Sequence, residues 1–250
     1  MTETPPFADL LSLIDDRAAA FRDALSAATD PAAARVPGCP EWSLSDLARH
    51  LGEVHRFWAA TVASPEAGGP PPEPSIDADP HDLVQWSDES TGQLLAALRD
   101  VDPAKPCWAW WPESAAPHTA AAIARHQVQE AAVHAYDAQE TIGKREPLPG
   151  VVAVDGVAEF LAACLGAQGA WPHRPARIAF TATDGPSWVV DLSSTGAVPD
   201  PAASGDPVCT VHASASDLVL ALYGRVQFDD FRVEGDRSVL AELRGWSKID

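Results

Sequence analysis

Gln129-Glu130-Ala131-Ala132-Val133-His134-Ala135-Tyr136-Asp137 lies inside a run from Thr119 to Ile142 whose pattern predicts a long helix closed by Gly143, a residue suited to a helix C-terminus. Glu130 and His134 are four residues apart and therefore stand on one helical face. A carboxylate and an imidazole so placed can share a metal ion, and such pairs occur in the cores of helical bundles. The same pair can also be a plain Glu–His contact on a solvated face.

Working outward, Leu47-Ala48-Arg49-His50-Leu51-Gly52-Glu53-Val54-His55-Arg56 predicts a second helix. His50 follows Leu47 by three and precedes Val54 by four, which places it on the apolar stripe. A buried imidazole needs a partner. That partner is a backbone carbonyl, a carboxylate, or a metal shared with Glu130 and His134. Two histidines and one carboxylate leave coordination positions open, as catalytic zinc sites require. His55 lies about 140° around the helix from His50, so both cannot easily serve one ion. His126, one turn before Glu130, is a substitute ligand.

The rest of the first half supports the same architecture. Leu10, Leu11, Ile14, Phe21 and Leu25 give Phe7–Ala27 a helical spacing. Arg35 to Trp42 reads as a proline-punctuated loop, and Ser43 with Asp46 as a capping box opening the second helix. Gly68 to Pro80 is a proline-rich, acidic loop, His81 to Leu98 a third helix, and Asp102 to Pro117 a second long loop carrying Trp108, Trp110 and Trp111. Four helices with two long connections predict a bundle. Beyond Pro147 the pattern changes. Val152–Leu165 reads as a helix, Arg177–Thr183 and Ser187–Leu192 as strands around Asp184-Gly185, Pro207–His212 as a third strand, and Ala215–Tyr223 and Arg237–Trp246 as helices. The expected fold class is α + (α/β), with a helical metal-binding domain over 1–147 and a smaller mixed α/β domain over 148–250.

The formal net charge of −19 argues against nucleic acid or an anionic membrane as partner, since phosphate binding needs clustered Lys and Arg. No apolar stretch is long enough to span a bilayer, and no basic segment precedes the first apolar residues. Cys39, Cys107, Cys164 and Cys209 are scattered and read as reduced thiols, so a cytoplasmic setting is expected. The oligomeric state is not legible.

Three segments carry a family resemblance. Val36-Pro37-Gly38-Cys39-Pro40-Glu41-Trp42, then Leu47 to Arg56, then Glu130 to Asp137 are together similar to the actinobacterial mycothiol-dependent maleylpyruvate isomerase family, within the wider DinB-like metal-binding bundles. Tyr223-Gly224-Arg225 and Val233-Glu234-Gly235-Asp236 resemble that family's sterol-carrier-like C-terminal domain. The resemblance implies that the metal ligands fall on His50, Glu130 and His134, that Arg225 reaches the site, and that mycothiol is the thiol cosubstrate. Two positions depart from the family pattern. Ala135-Tyr136 stands where many relatives carry Arg-Trp, and Gln129 where many carry histidine.

The chemistry implied is thiol activation. A zinc ion stabilises a thiolate that is scarce at neutral pH, and the thiolate attacks an electrophilic carbon. Addition to an activated cis-alkene, rotation and elimination give an isomerase, whereas an alkyl or acyl electrophile gives an S-transferase; the ligand set suits both, and it suits nickel or iron as well as zinc. Asp137, three residues after His134, can orient that histidine or pair with an arginine. Arg225 can clamp a substrate carboxylate or be a surface arginine. Two further readings stand beside this one. One is a non-catalytic metal-containing protein that shelters a small molecule or lipid, and the other is a hydrolase using metal-activated water.

Overall fold

The computed structural model describes residues 4–64, 68–71, 82–199 and 205–247. They form two compact units. One comprises Pro5–Ala109 with Pro117–Leu148, and the other comprises Trp110–Ala116 with the chain from Pro149 onward. The acidic loop predicted over Gly68 to Pro80 and the first residue of the predicted third helix, His81, fall mainly outside the described residues.

The first unit holds α1 (Phe7–Ala27), a short antiparallel ribbon of β1 (Arg35–Val36) and β2 (Cys39–Ser43), α2 (Leu44–Ala63), α3 (Leu83–Arg99) and α4 (Ala120–Thr141). α1 packs on α3 and α4, and α2 packs on α3 and α4. Phe21 and Leu25 of α1, Leu44, Leu47 and Leu51 of α2, and Ala135 and Ala138 of α4 share one apolar core. The segment expected to be an open loop, Arg35 to Trp42, is instead this ribbon, with Arg35 opposite Ser43. α2 begins as the sequence indicates: the Ser43 hydroxyl accepts from the Asp46 amide, and the Asp46 carboxylate accepts from the Ser43 amide. α4 ends as indicated too, with Gly143 at φ 70° and Lys144 N–H donating back to the Gln139 carbonyl at 2.8 Å.

α2 and α3 approach closely at Gly52. A methyl group there would meet the indole of Trp86, a ring that also carries the Arg56 guanidinium 3.9 Å from its centroid. Gly52→Ala should therefore destabilise the protein by about 1–3 kcal/mol despite alanine's better helix propensity. Urea unfolding checks this, and an unchanged or higher midpoint would show that Trp86 moves freely.

The second unit holds α5 (Gly150–Glu159), which runs into a π-helical turn over Phe160–Cys164, then β3 (Ala176–Ala182), β4 (Ser187–Ser193), β5 (Gly196–Pro199), β6 (Cys209–Ala213), α6 (Ala215–Leu222), a 3-10 turn at Phe228–Asp230, β7 (Arg232–Gly235) and α7 (Ser238–Trp246). The strand order is β5-β4-β3-β6-β7, with β3 and β6 parallel and the other pairs antiparallel. Along β6, buried Cys209, Val211 and Ala213 alternate with the more exposed Thr210 and His212, the period of a sheet with one covered face. α6 packs on β3 and β6, and α5 on α6. The helix expected over Val152–Leu165 widens in its last turn, where Leu165 N–H donates to the Phe160 carbonyl at 2.8 Å. The β3–β4 hairpin forms around Asp184-Gly185, but Gly185 does not take a left-handed conformation and the turn is wider than a two-residue one. Among the described residues no helix is long and apolar enough to cross a membrane.

Candidate metal centre

α2 and α4 bring His50, Glu130 and His134 together, so that one ligand atom of each lies within 4.8 Å of the others. His50 Nε2 is 3.3 Å and His134 Nε2 3.2 Å from the same carboxylate oxygen, Glu130 Oε1. Bonds of about 2.0–2.1 Å at tetrahedral angles would hold neighbouring donors about 3.3 Å apart, so the spacing fits a zinc-sized cation. Side-chain exposure falls from 33% at His50 to 18% at Glu130 and 7% at His134. Of the three, His50 is the most open to solvent.

The electrostatics point the same way. Burial opposes a charge on His134, but hydrogen bonds with Asp137 and Glu130 outweigh it and lift the imidazole to about 9. Burial likewise opposes the Glu130 carboxylate, yet its hydrogen bonds with His134 and His50 hold it well below the usual carboxylate range. The Asp137 and Glu130 carboxylates therefore favour positive charge at His134. Asp137 is fully buried, and its Oδ2 accepts from His134 Nδ1 at 3.0 Å. That bond leaves Nε2 as the nitrogen directed at Glu130, the arrangement in which a ligand imidazole is oriented from behind by a carboxylate.

His126 is buried against Trp58, ring centroids 6.2 Å apart, outside this three-donor group. Cys39 is half-buried at the start of β2 and packs on the helical core. Trp108 stacks on Trp58 and meets Phe57 edge-on, whereas Trp110 and Trp111 belong to the second unit. Arg225 also belongs to the second unit. Gly224, at φ 82°, closes α6, and Arg225 Nη1 donates to the Tyr223 carbonyl at 2.7 Å.

His55 turns away from the donors toward α3. Thr91 spends its hydroxyl proton on the Ser87 carbonyl, so it accepts from His55 Nδ1 at 3.2 Å. His55 Nε2 is then a bare nitrogen with no partner among the described residues. Burial pushes this imidazole down to about 4, from 6.5 in the unfolded chain. The sign follows: the neutral form is native, so stability is full above about pH 6.5 and is lost as pH falls toward 4. The loss amounts to about 3 kcal/mol. His55→Gln should unfold less steeply with acid by that amount, measured by urea titrations at pH 7 and pH 4. Equal slopes for the two proteins would remove His55 as the acid-sensitive group.

Family models and solved structures match most of the chain. The model described as the mycothiol maleylpyruvate isomerase N-terminal domain matches residues 10–139, and the corresponding C-terminal domain matches residues 151–242. A crystal structure of the mycothiol-dependent maleylpyruvate isomerase superposes with a TM-score of 0.66 at 16% identity, covering 94% of this chain and 96% of that one. A histidine-to-alanine mutant of that isomerase gives 0.62 at the same identity and coverage. At that identity the superpositions show a shared fold. No curated protein matches the chain by sequence. The N-terminal model alone spans more than half of the 250 residues, and the C-terminal model follows it in order. The chain belongs to the mycothiol maleylpyruvate isomerase family.

Proposed function

We propose that the protein is a mycothiol-dependent enzyme acting on a small electrophile, as isomerase or S-transferase, with His50, Glu130 and His134 as ligands to a divalent cation, zinc foremost. The observation that carries this reading is the convergence of two imidazole nitrogens on one carboxylate oxygen at 3.2–3.3 Å in a member of this family. The similar solved enzyme is named as mycothiol-dependent. The DinB-like bundle over 1–147 and the sterol-carrier-like domain over 148–250 belong to the same proposal, as does a cytoplasmic setting.

A cation held there supplies the positive charge that keeps a low-molecular-weight thiol deprotonated at neutral pH. The chain's own residues do the rest. Glu130 contributes the one anionic donor, so two neutral imidazoles and one carboxylate leave net positive charge for an incoming anion. Asp137 fixes the tautomer of His134. The more exposed edge at His50 admits thiol and substrate. Arg225, with its planar fork, is assigned to a substrate carboxylate. Arg225→Ala should keep its metal and lose about tenfold in kcat/KM, the worth of roughly 1.4 kcal/mol; unchanged kinetics would return Arg225 to a structural role. The whole reading is tested by assaying zinc-loaded protein with mycothiol, against maleylpyruvate for isomerisation and against alkylating electrophiles for conjugation. Turnover that requires the thiol in either assay supports it, and turnover in neither, or turnover indifferent to the thiol, overturns it.

A further inference from the structure

The two histidines of the candidate metal centre are held in different ways. His134 has the Asp137 carboxylate behind its Nδ1. For His50 the hydrogen bond found among the described residues is the one at Nε2, to Glu130. Among the described residues its Nδ1 has no counterpart of Asp137. What lies against the His50 ring instead is Trp42, with centroids 4.7 Å apart and planes inclined at 50°. An imidazole with only one nitrogen engaged and a third of its surface exposed is free to rotate unless packing stops it.

Trp42 is built to stop it. It occupies β2, directly before the helix cap of α2, and its backbone is tied on both sides. Ser43 caps α2 through Asp46, and Leu44 N–H donates to the Ala34 carbonyl at 2.8 Å. Arg35 Nη1 donates to the Glu41 carbonyl at 3.3 Å across the ribbon. The indole also packs against the core that contains Leu44, Leu47 and Leu51. The ribbon and the cap therefore fix where the indole stands relative to His50, two turns into the same helix. The contact falls within the range at which ring pairs attract.

We infer that Trp42 is a positioning residue for the cation: its indole, in place of a hydrogen-bonded carboxylate, holds His50 in the orientation that completes the donor set. This rests on the metal reading proposed above. It makes His50 the ligand whose hold on the cation is set by packing.

The test is zinc affinity, measured by competition with a chromophoric chelator, in the full-length protein. Trp42→Ala should weaken zinc binding about tenfold, the low end for residues that orient a ligand from outside. Trp42→Phe, which keeps a ring, should stay close to wild type. Trp42→Leu, which keeps the apolar contact with the core but not the ring, serves where Trp42→Ala does not fold, and it should weaken zinc as Trp42→Ala does. In a His50→Ala background the Trp42 substitutions should have no further effect on zinc. Wild-type affinity in Trp42→Ala or Trp42→Leu, or an equal loss with and without His50, would overturn the inference while leaving the metal reading intact. A wild-type protein that binds no zinc would overturn both, so the two failures are distinct.

Discussion

Glu130→Gln is expected to bind zinc roughly 100- to 1,000-fold more weakly than the wild-type protein while keeping its helical fold. The side chain keeps its shape but loses the one negative charge shared by His50 and His134, whose ring nitrogens both meet Glu130 Oε1. Four-ligand structural zinc sites supply roughly 10–16 kcal/mol, so one ligand's share is about 3–4 kcal/mol, a factor of a few hundred in affinity. The substitution also removes one of the two carboxylates that lift His134, the other being Asp137. Chelator competition measures the effect. A dissociation constant within about threefold of wild type would mean that the cation, if bound, sits elsewhere.

Asp137→Ala has the second-largest expected effect, about 10- to 100-fold in zinc affinity. Asp137 stands behind the His134 ring, with Oδ2 on Nδ1, and acts on the cation through that contact. Its loss frees the ring to turn and to take the other tautomer. Asp137→Asn should recover part of the affinity, because an amide oxygen still accepts the Nδ1 proton but carries no charge. If Asp137→Ala unfolds the protein, Asp137→Asn alone decides, with an intermediate affinity expected. Wild-type affinity in both variants would reduce Asp137 to a buried structural acid.

What the sequence made legible follows from the range of the interactions involved. α1, the capping box at Ser43 and Asp46, and the Gly143 terminus were readable because each depends on residues within about four positions of one another. The convergence of the three side chains was readable partly from spacing, as Glu130 and His134 are one helical turn apart, and partly from resemblance, since His50 comes from another helix. The ribbon of β1 and β2 was not readable, because strands of two and five residues, with Pro37 between them and Pro40 inside the second, carry no alternation to detect. β5 and β7 are four residues each, and both lie at the sheet edges, where few side chains need burying. The apolar stripe placed His50 on the inner side of α2 but could not show that a third of its side chain remains exposed. Nor could it show that Trp42 covers the ring, because that depends on how the ribbon folds back onto the helix. The split of the Trp108–Trp111 segment between two units is a tertiary fact that no local pattern encodes.

His50, Glu130 and His134 are proposed to hold one cation together. Full-length protein reconstituted with zinc, freed of excess metal and analysed for metal content tests it most directly. The expected result is about one zinc per chain in the wild type and less than about a tenth of that in a folded His50→Ala/His134→Ala double variant, since a lone carboxylate cannot retain the ion through desalting. Full zinc occupancy in that double variant would contradict it.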